Sequence, residues 1–578
     1  MMLLNKTQRI NIIAILVIFS VGIILILPTI AYGVFDAHDT LVHLNWANYF
    51  SQQLWAGELY PRWLPEMNSG LGSPTFFFYP PIPYYFTSLF YPFRFGNPSI
   101  WSPLVLSSTL ALILSGFTAY LWLKNITNQK AALIGSIIYM ILPYHWAIDF
   151  YWRFAFSEYW AFVWIPLVLY YTKKIVCRHK FAVLGLAISY ALLSMTHLPT
   201  TLIFSIIPFT YILFIAHGKQ RWRSFVYMIL ALVLGIGLAA IYLIPALSMQ
   251  ENVLLKEIAT EPHFYFANNF TWRKQFIYPN FQIFMGYLGI LVMLMAIISY
   301  LAFTVARKNS HKDIRIENFY WLIIALASCL MTLPLSKPLW WLFTVLQVIQ
   351  FPWRFNIVLT VATTALITLG CYSFKPKSIW QQKQALIAIA LLIILILSGF
   401  AMAYHNIERL KFDQKAVIKM SQDAPEYRPK WVAKKLFTEN LVRQLAKNTT
   451  EAKITKGQGS LAITKWQPRN IILETNAQTN IEITLKQFYY PGWTARVDYR
   501  KISAQPSQPE GLVKLEIPSG KHQVKITLEA GLKERLGQAI STASFLILLM
   551  LFLPFPGLIK SRERLKLWLA QQQLSRQV

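Results

Sequence analysis

The chain has 578 residues, of which 55% are hydrophobic, 15% aromatic and only 14% charged, and its mean hydropathy is +0.42. That composition is that of a polytopic membrane protein. The formal net charge of +29 is spread over short loops between apolar stretches, so topology and anionic lipid explain it, and a nucleic-acid partner is excluded.

A hydrocarbon core of about 30 Å asks for roughly 20 apolar residues per helix. On that rule the sequence predicts roughly a dozen transmembrane helices, near 11–32, 103–123, 131–148, 158–172, 181–198, 200–216, 224–246, 283–306, 318–334, 353–374, 383–404 and 537–558. The first is expected to stay as an anchor rather than be cleaved near Ala31, because its apolar run exceeds a signal-peptide core and many spans follow. Basic residues fill every second loop: Lys6 and Arg9, Lys124 and Lys130, Lys173 to Lys180, Lys219 to Arg223, Arg307 to Arg315, Lys375 and Lys377, and a tail from Lys560 to Lys566. By the positive-inside rule both termini are cytoplasmic and the loop at 33–100 faces outward.

That first outer loop opens on Asp36-Ala37-His38-Asp39-Thr40-Leu41-Val42-His43 and runs to an aromatic block, Phe76 to Phe86. Pro80, Pro81 and Pro83 forbid a regular helix there, which points to a segment lying along the membrane interface. The second outer loop carries Asp149, Arg153 and Glu158 close to a membrane helix. Gln350-Phe351-Pro352-Trp353-Arg354 sets another cation among aromatics just before a span. The three cysteines, Cys177, Cys329 and Cys371, form no disulfide framework and no CxxC site.

Residues 405–536 are polar enough for an extracytoplasmic domain between the membrane part (1–404) and the last helix with its basic tail (537–578). Alternation in 481–486, 513–517 and 524–528, with turns at Pro491-Gly492 and Ser519-Gly520, predicts a small antiparallel β-sandwich, while 407–465 reads as mixed and partly helical.

Asp39-Thr40-Leu41-Val42-His43, Gly57-Glu58-Leu59-Tyr60-Pro61-Arg62-Trp63-Leu64-Pro65, Gly70-Leu71-Gly72-Ser73-Pro74, Phe78-Tyr79-Pro80-Pro81, the Arg153 to Glu158 segment, His197-Leu198-Pro199 and Gln350 to Phe355 together resemble the bacterial membrane proteins with the 6-pyruvoyl-tetrahydropterin synthase-related domain. Such proteins are similar in layout to GT-C-type glycosyltransferases. The resemblance implies a multi-pass protein of the bacterial plasma membrane that uses a polyprenyl-phosphate sugar donor at the outer face, with a glycan, lipid or protein acceptor. Pterin synthesis itself is excluded, because it needs three zinc-binding histidines and His38, His43, His145, His197 and His263 show no such spacing.

A glycosyl transfer of that kind needs cations on the carrier phosphate and a carboxylate to deprotonate the acceptor. Asp39 matches the family's Asp-x-x-x-His pattern and is the expected base, with His43 at i+4 to orient it and Asp36 as the spare carboxylate. Arg62, Arg153 and Arg354 are the expected phosphate-binding residues, Glu158 accompanying Arg153. Plainer readings stand beside these. Asp36 and Asp39 could cap a helix, Arg153 and Glu158 could form an interfacial ion pair, and a divalent metal on Asp39 and His43 would have an incomplete ligand set. A transporter or lipid flippase, or a non-enzymatic scaffold of cell-envelope assembly, are the alternative functions.

Overall fold

The computed structural model describes residues 5–552 apart from residues 36, 97–98, 259–260, 274–279, 307–311, 434–437 and, within 374–423, all but 390, 394, 397–401 and 404–405. Among the described residues nine helices are long and apolar enough to cross a membrane, beginning with Thr7–Tyr32, Trp101–Lys124 and Gln129–Trp152 and ending with Pro352–Ser373 and Leu532–Leu551. The span expected at 158–172 lies in a helix, Phe156–Val176, whose polar and aromatic content keeps it outside that set. The one expected at 181–198 forms the shorter Ala182–Ser194, and most of 383–404 lies outside the described residues.

Local chemistry sets several helix ends. Lys6–Tyr32 starts on a capping box in which Asn5 accepts from the Gln8 amide and Gln8 answers. It stops at Gly33, whose φ of 81° suits glycine. Ile13, Leu16, Phe19, Ile24 and Leu27 stay exposed along it, a lipid-facing stripe. Gln129–Ile141 is followed by Pro143 and a wider π-helical stretch, Tyr144–Trp152. Such i→i+5 turns recur at functional sites, and this one carries Asp149 into the interior with no exposed surface.

The loop expected to face outward is more regular than its sequence suggested. Thr40–Trp55 is a 16-residue helix that buries His43, Trp46 and Phe50, spaced as one helical face. The aromatic block folds into two short helices, Thr75–Phe78 and the seven-residue Ile82–Ser88; against the expectation that its prolines forbid a helix, Pro83 sits in the first turn, where its missing amide is tolerated. Its rings pack inward instead of lying on the interface: Phe76 sits 4.7 Å from both Phe50 and Tyr84, and Phe86 stacks on Trp160 at 4.5 Å.

After the helix Glu439–Asn448 come nine strands, β1 Ala452–Lys456, β2 Gly459–Gln467, β3 Asn470–Ala477, β4 Ile481–Phe488, β5 Trp493–Val497, β6 Arg500–Ser503, β7 Gln505–Pro506, β8 Leu512–Ile517 and β9 Gly520–Leu528. They form two antiparallel sheets, β1-β4-β8-β7 and β2-β3-β9-β5-β6. The three expected strands are β4, β8 and β9, with Ile481, Ile483 and Leu485 and then Val524, Ile526 and Leu528 buried on alternate positions. Strands β1, β2 and the start of the sheets fall inside the segment expected to be mixed.

The strand region is joined to the first outer loop. The Phe488 amide donates to the Leu71 carbonyl at 2.5 Å. Gln487 accepts from the Trp63 indole at 2.9 Å and donates to the Gly70 carbonyl at 2.9 Å. Phe77 lies 5.0 Å from Tyr490.

Candidate functional site

Asp39 sits at the N-cap position of Thr40–Trp55, yet its carboxylate makes no cap hydrogen bond. The capping explanation therefore does not account for this side chain. The backbone around it is pinned to the end of the π-helix, where the Asp39 amide donates to the Arg153 carbonyl at 3.0 Å and the His38 amide to the Trp152 carbonyl at 3.4 Å. Asp39 forms no ion pair with a described residue. Burial lifts its carboxyl to about 6, with Arg153 and Arg354 pulling it back and Glu158 adding to the rise.

Beside it lies a buried network of fixed charges. Arg153 donates through Nη1 to Asp149 Oδ1 at 2.7 Å and to Glu158 Oε2 at 2.9 Å. Glu158 also accepts from the Tyr144 hydroxyl at 2.6 Å and from Arg354 Nε at 3.3 Å. Arg354 Nη1 reaches the Ile349 carbonyl at 2.8 Å. The Arg153 guanidinium lies over the Trp353 ring at 4.4 Å, and that of Arg354 over Phe351 at 4.8 Å. Two guanidiniums and two carboxyl groups thus meet in a buried place, where each unpaired charge would cost several kcal/mol. The other Asp149 oxygen, Oδ2, is buried without a hydrogen-bond partner.

Two strained residues hold this arrangement. Phe154 has φ +52° directly after Arg153, and Gln350 has φ +63° four positions before Arg354. Neither is glycine, and a left-handed backbone at such residues costs on the order of 1–3 kcal/mol. Backbone strain of this kind clusters at ligand-binding and catalytic sites. No signal in the sequence announces it, since neither residue type favours that conformation.

His43 shares the helical face but turns its imidazole elsewhere: Nδ1 pairs with the Tyr84 hydroxyl at 2.7 Å. Its link to Asp39 is the backbone bond from the His43 amide to the Asp39 carbonyl at 3.1 Å. Burial, and then Arg153, press its pKa down to about 3, so the ring is neutral. Tyr144 and Tyr84 are members of the site that sequence reasoning did not single out. Asp36 lies outside the described residues.

Arg62 is elsewhere. Its Nε pairs with Glu534 at 3.2 Å, Nη2 donates to the Ile241 carbonyl at 2.7 Å, and the guanidinium stacks 3.9 Å from the Tyr60 ring. Arg469 joins the group from β2–β3, 4.0 Å from Glu534 and 3.7 Å from Glu58. The structure thus brings Asp39, Arg153, Glu158 and Arg354 together and leaves Arg62 in a separate clamp. Among the described residues no group of three or more His, Cys, Asp or Glu side chains is arranged to hold a metal. Among the described residues, a cavity around Lys173 and Glu317 and a shallow one around Phe90 to Phe95 are both lined by other residues.

Residues 76–407 match the family described as "6-pyruvoyl-tetrahydropterin synthase related domain; membrane protein". The match takes in Arg153, Glu158 and Arg354, and stops short of Asp39 and Arg62. No curated protein matches the chain.

Proposed function

The chain belongs to the 6-pyruvoyl-tetrahydropterin synthase related family of membrane proteins, and from that premise we propose that it is a membrane glycosyltransferase using a polyprenyl-phosphate-linked sugar at the outer face of a bacterial plasma membrane. The observation that carries the reading is the Asp39 carboxyl, uncommitted to any cap or ion pair and lifted to about 6. A base with that pKa is ionised at neutral pH and still accepts a proton readily. In the proposed step Asp39 takes the proton of an acceptor hydroxyl, the hydroxyl oxygen bonds to the anomeric carbon, and the bond from that carbon to the carrier phosphate breaks. The electron pair leaves on the phosphate.

Arg354 is the better candidate for meeting that phosphate. It holds Glu158 by one long contact, whereas Arg153 is committed to two carboxylates at shorter range. Arg153, Glu158 and Asp149 would then hold Arg354 and the loop carrying Asp39, and Arg62 would serve the clamp with Glu534. In this reading the helices number about twelve by the length rule, both termini are cytoplasmic, and the two sheets form an outer sandwich.

A scaffold role is the second reading, favoured by the mutual neutralisation of Arg153 and Glu158. The two part on one experiment. The protein is purified with its native lipids, co-purifying species are identified by mass spectrometry, and release of polyprenyl phosphate from a sugar-loaded carrier is followed for wild type and Asp39→Asn. Sugar-loaded carrier with turnover lost in the variant supports transfer, while turnover at the normal rate in Asp39→Asn removes the base.

A further inference from the structure

Two helices that bear the Asp39-end network carry a second polar group at their other ends. Glu158 and Lys173 lie on one helix, Phe156–Val176, about 22 Å apart at 1.5 Å per residue. Arg354 and Tyr372 bracket the stretch Pro352–Ser373, about 27 Å apart by the same rise. These separations are close to the hydrocarbon thickness of about 30 Å, so the second group sits at the opposite membrane surface.

A cavity of about 290 Å³ opens there, lined by Asn125, Asn128, Lys173, Asp313, Glu317 and Tyr372 among others. At that size it is at the small end of ligand sites and takes a headgroup, not an acyl chain. Glu317 is 2% exposed and is held by Lys173 Nζ at 2.6 Å and by the Tyr211 hydroxyl. Asn125 ends the Trp101–Lys124 helix, and its amide nitrogen is buried with no hydrogen-bond partner. Asp313 is exposed at the rim and forms no ion pair with a described residue.

The lining therefore offers both signs. Among the described lining residues Lys173 is paired with Glu317, which leaves the exposed Asp313 carboxylate open to a cationic group. The Asn125 amide needs an acceptor, and Lys173, partly exposed to the cavity, has hydrogens beyond the one given to Glu317. We infer that this cavity is a second ligand site, for a primary amine and a phosphate held close together, the chemistry of a phosphoethanolamine headgroup. The ammonium would sit on Asp313 and Glu317, and the phosphate oxygens on Asn125 and Lys173. A quaternary ammonium has no N–H to donate to the carboxylates, and a glycerol headgroup has no cation.

The test uses the full chain in nanodiscs of phosphatidylcholine with equal minor fractions of phosphatidylethanolamine and phosphatidylglycerol, with retained lipid counted by native mass spectrometry. Phosphatidylethanolamine should be retained in preference to both others. Asp313→Asn, at an exposed position that does not support the core, should reduce that preference about tenfold, the weight of one charge-assisted bond. In lipid-depleted detergent, soluble O-phosphoethanolamine is the second arm: a rise in the thermal midpoint equal to that given by the lipid assigns the site to the free compound, and a rise given by the lipid alone assigns it to the membrane. Equal retention of the three lipids, enrichment of phosphatidylglycerol, or a preference unchanged in Asp313→Asn would overturn the inference.

Discussion

Whether Arg62 meets a ligand or serves as a clamp can be decided by stability. The Arg62 Nε to Glu534 distance of 3.2 Å corresponds to roughly 5 kcal/mol of attraction at an effective dielectric of 20. Both side chains are almost wholly buried, so removing one partner strands the other. After Arg62→Met, Glu534 keeps the Gly531 amide at 3.1 Å and, as its remaining cation among the described residues, Arg469 at 4.0 Å, and the Ile241 carbonyl loses its donor. We expect a loss of about 3 kcal/mol, the lower part of the range for breaking a buried pair, since Arg469 offsets some of the stranded charge. Glu534→Gln should cost a similar amount, and the double variant about 2 kcal/mol less than the sum of the two singles. The measurement is chemical unfolding of the full chain in one fixed detergent, followed by tryptophan emission. Additivity within about 0.5 kcal/mol, or wild-type stability in Arg62→Met together with loss of bound phosphate-bearing lipid, would refute the clamp.

Three further outcomes follow from the same geometry. Transfer activity should fall about tenfold for each pH unit below about 6, because the Asp39 carboxyl, raised chiefly by burial, is inactive as a base once protonated; a flat pH profile between 5 and 7 speaks against Asp39. Gly72→Ala should loosen the first loop from β4 by about 2 kcal/mol or more, since Gly72 has φ +85° and a Cβ there collides with the Trp63 ring and Gln487; it would be read as faster proteolysis of the loop at 57–74. Reporter fusions at Lys312 and Ala495 should report opposite sides of the membrane, and the same side for both contradicts the loop-charge pattern.

Long apolar runs made most of the helical framework legible, because a 20-residue window decides a span almost alone. Strands β4, β8 and β9 were legible for a similar reason, since apolar residues recur at every second position in 481–485, 513–517 and 524–528 and are buried there. Thr40–Trp55 was harder. Asn45, Asn48, Gln52 and Gln53 dilute its hydropathy, and only the spacing of His43, Trp46 and Phe50 betrays a buried face. Strand β2 is mostly exposed, so burial does not print a pattern on its sequence. The clamp of Arg62 with Glu534 joins opposite ends of the chain, and no local rule reaches that far. At the site, sequence brought forward Asp39, Arg153, Glu158 and Arg354, yet it could not tell an arginine satisfied by carboxylates from one with donors to spare.

That last distinction carries most of the functional weight. In the Asp39-end cluster Asp149 and Glu158 accept from Arg153, and Glu158 also accepts from Arg354, so these pairings are complete without Asp39. The Asp39 carboxylate stands outside them, held half-buried at a helix start whose amides it does not use. A purely structural network would gain by dropping it, since an alanine or serine there would remove the cost of burying a carboxylate. Its retention, with strained Phe154 and Gln350 on either flank, is accounted for if a ligand supplies what the protein withholds: a hydroxyl proton for the carboxylate to accept and a phosphate to draw Arg354 away from Glu158. Movement of Arg354 would leave Glu158 on Arg153 and Tyr144 alone, a state the shorter bonds from those two residues can support.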